Sequence, residues 1–305
     1  MRASRLTYRR IQMAIEEEYG IGLSESNISY WVRGIHIPER EAYNKPDFSK
    51  KEEISWLAEI FAGDGTINVS KEGKKLRLKV KDRELAEEAS KVFARVMGRE
   101  KPYAVGRFSD GRYYVEVSSR ELADHLLERE KVLMYLEESP LEFLKAFFDC
   151  EGYISAFIDA YGRFGARIGI TNTDLELLET ILTKLKGLGI GGKLVVAYRK
   201  GKVLISSRGR ITARRNCYNI AICRIRDIIR FARTIDSSIP RKNEKLKDVS
   251  SILERFGFTE DAAVEWIRMY RYERGKGRER WFKREKMLNR KEALEEYKKF
   301  LSSRR

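Results

Sequence analysis

A chain of 305 residues, 42% hydrophobic and 35% charged, is too long for one small domain and apolar enough for a real core. Its 62 Lys and Arg against 46 Asp and Glu leave a net charge of +16, which points to a polyanionic partner, nucleic acid ahead of an anionic membrane surface. No apolar run approaches the ~18 residues a spanning helix needs, no signal-peptide core follows "MRASRLTYRR", and Cys150, Cys217 and Cys223 lack metal or disulfide spacing, so no membrane role is expected and a cytoplasmic, nucleoid-associated protein is.

The first forty or so residues read as a small helical unit. "TYRRIQMAIEEEYG" sets Ile11, Ala14, Ile15 and Tyr19 on one face, with Gly20 as a stop. Ser24 then caps a second helix that turns Ile28, Trp31 and Val32 inward and ends at Gly34. Two short helices with a tight turn make either a plain hairpin or a DNA-binding helix-turn-helix. In the second case Ser26, Asn27, Tyr30 and Arg33 face outward, and Asn27, Tyr30 and Arg33 are the candidate DNA contacts. A linker between Pro38 and Pro46 follows.

Ser49-Lys50-Lys51-Glu52 has the form of a capping box and opens a helix running to about Asp64. After Gly65 come "TINVS", a turn at "KEGK", and "KLRLKVKD". This last run alternates Leu76, Leu78 and Val80 with Lys75, Arg77, Lys79 and Lys81, a strand with one buried and one basic face. An amphipathic helix over 83–97, a hairpin about "SDG" and a helix near 119–128 complete the series. The order then repeats. Ser139-Pro140-Leu141-Glu142, again of capping-box form, opens a helix to Glu151. Strands at about 153–159 and 165–171, a helix from Asp174 to Leu188, strands near 193–199 and 216–223 and a helix near 224–236 follow. From Ile239 onward the chain reads as polar and helical, interleaved with Trp266, Tyr270, Tyr272, Trp281 and Phe282: either a tail packing its aromatics on the domain or a DNA-contacting extension.

Two acids stand out. Asp64 and Glu151 each end a helix just before a glycine, where the helix dipole disfavours negative charge. Their recurrence in a duplicated chain suggests two helices side by side with their ends together, the contact made by Ala58, Ala62 and Gly63 against Ala146 and Cys150. Converging carboxylates suit hard divalent cations such as Mg²⁺, and metal beside phosphate suits phosphodiester hydrolysis.

"LAEIFAGDG" (Leu57 to Gly65) and "LKAFFDCEG" (Leu144 to Gly152) resemble the paired motifs of LAGLIDADG homing endonucleases, and "ITNTDLELLE" (Ile170 to Glu179) and the repeat spacing resemble that family too. The leading helical unit resembles the extra domain of some archaeal, intron-encoded members, and the near absence of Gln fits thermophile usage. The resemblance implies an α+β fold: duplicated helix-hairpin-helix-hairpin-helix LAGLIDADG domains with pseudo-two-fold symmetry, preceded by a small helical domain. On this reading residues 1–45 are the helix-turn-helix and linker, 49–138 and 139–238 the two repeats, and 239–305 a basic extension. It further implies a monomeric, Mg²⁺-dependent endonuclease that cuts double-stranded DNA at a long asymmetric site and promotes intron mobility, with Ca²⁺ or Mn²⁺ able to occupy the site. Asp64 and Glu151 would bind the metal, aided by the carbonyls of Gly63 and Cys150, and Lys81 would be the basic catalytic partner of the first half.

Asn172 and Thr173 stand where the second half would carry its lysine, so catalysis is expected to be asymmetric or that lysine to come from elsewhere. Glu59 also departs from the small residue of the motif's third position. DNA contacts are expected from Lys75, Arg77 and Lys79 in the first sheet, and from Arg167, Lys193, Arg199 and the turn residue Arg163 in the second. The alternatives are a maturase that binds intron RNA and a non-catalytic DNA-binding regulator; regulators of this kind tend to lose the motif acids, which are both present. No residue arrangement for protein splicing stands at either end, so an intein is not expected.

Overall fold

The computed structural model describes residues 7–20, 22–33, 45–71, 73–206, 209–275 and 278–303. Helix α1 (Tyr8–Tyr19) starts at Thr7, whose hydroxyl accepts from the Arg10 N–H, and stops at Gly20, where φ is 66°. Helix α2 (Glu25–Val32) is capped by the Ser24 hydroxyl, which accepts from the Asn27 N–H at 3.2 Å. Ile11 and Ile28 are buried in this pair. Ala14 and Tyr19 are exposed, so the buried stripe of α1 is narrower than the sequence pattern suggested. The predicted stop at Gly34 and most of the linker lie outside the described residues.

The first repeat runs α3 (Lys51–Ala62), β1 (Gly65–Ser70), β2 (Gly73–Val80), α4 (Arg83–Val96), β3 (Gly106–Arg107), β4 (Tyr113–Ser118), α5 (Arg120–Leu127) and α6 (Arg129–Glu138). The second runs α7 (Pro140–Glu151), β5 (Gly152–Ile158), β6 (Phe164–Asn172), α8 (Leu175–Gly187), β7 (Lys193–Tyr198), β8 (Val203–Ser206), β9 (Gly209–Thr212), β10 (Cys217–Ile222) and α9 (Ile225–Thr234). Each repeat carries a four-stranded antiparallel sheet, ordered β1-β2-β4-β3 in one and β5-β6-β10-β7 in the other. The orders are the same once the added hairpin β8–β9 is set aside, so β10 corresponds to β4 and β7 to β3. Leu76, Leu78 and Val80 are buried beneath the first sheet, as their alternation predicts.

Helices α3 and α7 pack together at the centre, with Ala58 and Ala146 fully buried. Ala62, expected at this contact, is exposed; Gly63 takes the close position, where a Cβ would sit 3.4 Å from Glu151 Oε1 and 3.7 Å from Cys150 Cβ. Neither predicted capping box forms. The N-cap of α3 is Lys50, and the Ser49 hydroxyl donates instead to Asp47 at 2.6 Å. Ser139 is the N-cap of α7 but makes no side-chain cap bond; Pro140 at the first helical position sets the start. Helix α6 was not anticipated from sequence.

The C-terminal region is a packed module of α10 (Pro240–Phe256), α11 (Glu260–Met269), a hairpin of β11 (Tyr270–Gly275) and β12 (Arg278–Lys283), and α12 (Arg290–Ser302). The aromatics read as part of a helical stretch therefore belong partly to a hairpin, in which Tyr272 pairs with Trp281. Trp266 is fully buried and stacks on Tyr270, 3.8 Å between centroids. The Tyr297 hydroxyl donates to the Gly162 carbonyl at 2.9 Å, fixing α12 to the β5–β6 turn. Its buried side chains are continuous with the core of the two repeats. Among the described residues no helix is long and apolar enough to cross a membrane.

Candidate active site

Helix α3 stops at Ala62, two residues short of Asp64, while α7 runs through Glu151, but a glycine follows each acid for the same steric reason. The strand after each helix turns straight back over an aromatic ring four residues earlier. A Cβ at Gly65 would lie 2.5 Å from Phe61, and one at Gly152 would lie 2.1 Å from Phe148. Only glycine allows that return. The residue before each glycine, Asp64 or Glu151, is thereby held at the helix end, and packing of α3 on α7 brings the two ends together.

Four carboxyls gather there: Glu59, Asp64, Asp149 and Glu151. Glu151 is pushed up to about 7, first by burial and then by the charge of Asp64. Burial also raises Asp64. Glu59 is fully buried, neither of its oxygens is hydrogen-bonded, and burial with the neighbouring acids holds its carboxyl well above the usual range. Asp149 is satisfied: it accepts from the Ser237 hydroxyl and from the Ser238 N–H at 3.0 Å. Among the described residues no group of three or more His, Cys, Asp or Glu forms a ready-made metal cage. The donor set fits a hard divalent cation that keeps part of its own water shell: two carboxylates, both raised in proton affinity by burial and Glu151 by the charge of Asp64 as well, which a dication would relieve.

A family model for the LAGLIDADG-like domain matches residues 51–130 and again 138–236, one match over each repeat.

The chain belongs to the LAGLIDADG-like family. A curated relative, the uncharacterized protein MJ0398 of Methanocaldococcus jannaschii, is 28% identical over 263 residues, 84% of this chain and 92% of that protein. Among solved structures, I-DmoI in complex with DNA and Mn is similar at 19% identity over 61% of this chain and 96% of that one, with a TM-score of 0.43. The LAGLIDADG meganuclease I-AabMI bound to uncleaved DNA is similar at 11% identity over 70% and 96%, with a TM-score of 0.45.

Within this LAGLIDADG-like chain the surroundings of the two acids differ. Lys81, just past β2, lines a cleft of about 250 Å³ together with Asp64, Lys79, Arg112, Arg241 and Lys242. Val80 pairs with Tyr113 as Asn172 pairs with Tyr218, so Thr173 is the counterpart of Lys81. Thr173 lines a separate cleft of about 450 Å³ with Lys200, Arg214, Arg215, Asn216 and Tyr218. The second half lacks a lysine on its strand end, but cations reach its cleft from the segment joining β7 to β10.

Lys242 escaped the sequence reading. It enters from α10, outside both repeats, and its ammonium donates to the carbonyls of Phe148 at 3.0 Å, Asp149 at 2.8 Å and Gly152 at 2.7 Å. Of these, the Asp149 carbonyl belongs to the last turn of α7, where carbonyls lack a partner within the helix, while that of Phe148 also accepts the Gly152 N–H. Beside it Arg241 grips Asp82 with two bonds, at 2.7 and 2.8 Å, and holds that carboxyl below its usual range. Nothing local in "IPRKNEKLK" marks these two residues; only the fold brings them here.

The candidate DNA-contacting residues lie where the strand pattern put them, with one difference. The face of β2 is not uniformly basic, because Arg77 donates to Glu116 directly across on β4 at 2.6 Å and Lys75 lies 3.6 Å from the same carboxyl. Lys79 pairs with Asp110 at 3.2 Å and sits over the Phe108 ring. Arg163 is tied to Asp159 in its turn. Arg167 and Lys193 are exposed and share a third cleft with Arg224, while Arg199 is exposed at the end of β7. Asn27, Tyr30 and Arg33 are exposed on α2.

Proposed function

We propose that the chain is a site-specific, divalent-metal-dependent endonuclease that cuts both strands of duplex DNA, of the kind that promotes intron mobility, working as a monomer. The observation that carries the reading is the meeting of Asp64 and Glu151 at the glycine-terminated ends of two packed helices, at the junction of two antiparallel sheets in a chain of net charge +16. A bound Mg²⁺, for which Mn²⁺ or Ca²⁺ can stand in, would supply Lewis acidity and an activated water. Asp64 and Glu151 would hold it, with the carbonyls of Gly63 and Cys150 as further oxygen donors.

The chain's own residues do the rest. Lys81 and Lys79 place positive charge beside the Asp64 end, where a phosphate would sit. In the other half Lys200, Arg214 and Arg215 line the cleft at Thr173, and would meet the DNA backbone there. Charge fixed in advance costs no reorganisation when negative charge develops on the phosphoryl oxygens. The salt-bridged row Lys75, Arg77 and Lys79 would exchange its carboxylate partners for phosphates on binding, while Arg163, Arg167, Lys193 and Arg199 serve the second sheet and Asn27, Tyr30 and Arg33 an outlying contact. The retention of both acids favours cleavage over a purely regulatory DNA-binding role.

A library of random duplex sites incubated with the protein in Mg²⁺ tests this directly. Wild type should select and linearise a small set of long sites. Asp64→Asn and Glu151→Gln should each abolish double-strand cleavage while shifting the same DNA in gels. Full cleavage by either variant would sink the two-acid assignment.

A further inference from the structure

Lys242 has spent all three of its donors on backbone carbonyls, so it has none left for a phosphate or a water. Its influence is therefore exerted through fixed charge and through the backbone it holds. That charge lies beside the acids: Lys242 lines the same cleft as Asp64, Asp149 and Cys150. The residue is also aimed. Pro240 starts α10, Asp149 at the end of α7 receives the Ser237 hydroxyl and the Ser238 N–H, and consecutive side chains then reach opposite repeats, Arg241 to Asp82 of the first and Lys242 to α7 of the second. A lysine so placed does at a helix C-terminus what a cation does there generally, neutralising the carbonyl ends.

We propose that Lys242, contributed from outside both repeats, is a positioning residue of the metal centre: its ammonium fixes the end of α7 and, as a charge lining the same cleft as Asp64, sets the affinity of the Asp64–Glu151 pair for a divalent cation. The proposal rests on the endonuclease reading only in taking that pair as the metal site. Carboxylates clustered at these helix ends repel one another. A fixed monovalent charge lessens that repulsion, and as a like charge it also weakens divalent binding, which leaves the metal exchangeable.

The test is Mn²⁺ binding to the full chain at pH 8, without DNA, followed by the electron paramagnetic resonance of free Mn²⁺, with melting in EDTA and in Mn²⁺ alongside. Lys242→Gln keeps amide donors for the carbonyls but removes the charge; Lys242→Arg keeps both. A unit charge and a dication placed about 8 Å apart in a water-like dielectric repel, as a general order of magnitude, by enough to change affinity roughly fivefold. Lys242→Gln should bind Mn²⁺ about fivefold more tightly than wild type, melt earlier in EDTA and gain more from Mn²⁺, while Lys242→Arg should match wild type. If Lys242→Gln does not fold in EDTA, its recovery with Mn²⁺ but not with NaCl of equal ionic strength supports the proposal, and failure to recover overturns it. Equal Mn²⁺ affinity and equal metal-induced stabilisation in wild type and Lys242→Gln would reduce Lys242 to a backbone clamp. Wild-type binding that Asp64→Asn abolishes keeps the metal reading in place in that event; if wild type itself binds no Mn²⁺, both fall together.

Discussion

Glu151→Gln should make the metal-free protein more stable at alkaline pH even as it removes cleavage. The folded state holds the Glu151 carboxyl at about 7, against an ordinary 4.5, chiefly because burial and the neighbouring Asp64 penalise its charge. The sign follows from proton linkage. Between 4.5 and about 7 the folded chain binds more protons at this position than the unfolded chain does, so the contribution to stability is complete below 4.5 and is lost as pH rises through 7. At 1.36 kcal/mol per tenfold in proton affinity, the full effect is about 3 kcal/mol, and partial access of solvent to the carboxyl reduces it to about 2. A glutamine has nearly the same shape and no charge to lose. Urea melts in EDTA should therefore show Glu151→Gln about 2 kcal/mol more stable than wild type at pH 8.5 and little different at pH 4.5. Mg²⁺ should stabilise wild type at pH 8.5 and leave the variant unmoved. If the two proteins respond to pH in parallel, Glu151 is not held against an ionisation penalty and the electrostatic account of the site is wrong.

Lys81→Ala should slow cleavage far more than it weakens DNA binding, measured by single-turnover rates and gel shifts, whereas Lys79→Ala should lower affinity and reduce the salt slope by about one phosphate's worth; an affinity loss without a rate defect in Lys81→Ala would make it a phosphate clamp. Removing residues 1–45 should leave the rest folded, since the continuous core begins at Ile54, and should shorten the DNA footprint at one end only while lowering affinity by ~10²–10⁴; an unchanged footprint would show that α1 and α2 do not touch DNA. Gly152→Ala should cost about 3 kcal/mol in denaturant melts, because its Cβ would lie 2.1 Å from the Phe148 ring and 2.4 Å from the Phe148 carbonyl. A small change there would mean that the strand can leave the helix by another path.

What could be read from the sequence was what neighbouring residues decide among themselves. The alternation of Leu76, Leu78 and Val80 with basic residues matches the face of β2, and the acid-glycine pair at 151–152 marks the end of α7, whereas α3 ends at Ala62, two residues before its own pair. Local patterns failed where the expected cap found a different partner or made no cap bond. Ser49 could have capped α3, but Asp47 takes its hydroxyl. Ser139 begins α7 without a side-chain cap bond, while its carbonyl accepts from the Ser55 hydroxyl of the other central helix. The run from Tyr270 to Lys283 looked helical because Arg, Glu and Lys dominate it, while its strand character lies in cross-strand partners such as Tyr272 and Trp281.

The largest gap concerns the helix ends themselves. An acid beside the C-terminus of α7 looked unfavourable, and a bound cation was the only remedy the sequence suggested. The fold supplies one already. The ammonium of Lys242 sits on the carbonyls of Phe148, Asp149 and Gly152, so the dipole is met by a side chain 90 residues further along the chain. Its three donors are then used up, so it makes no hydrogen bond to the carboxyl pair, Asp64 and Glu151, and that is the charge left for a divalent ion to bind.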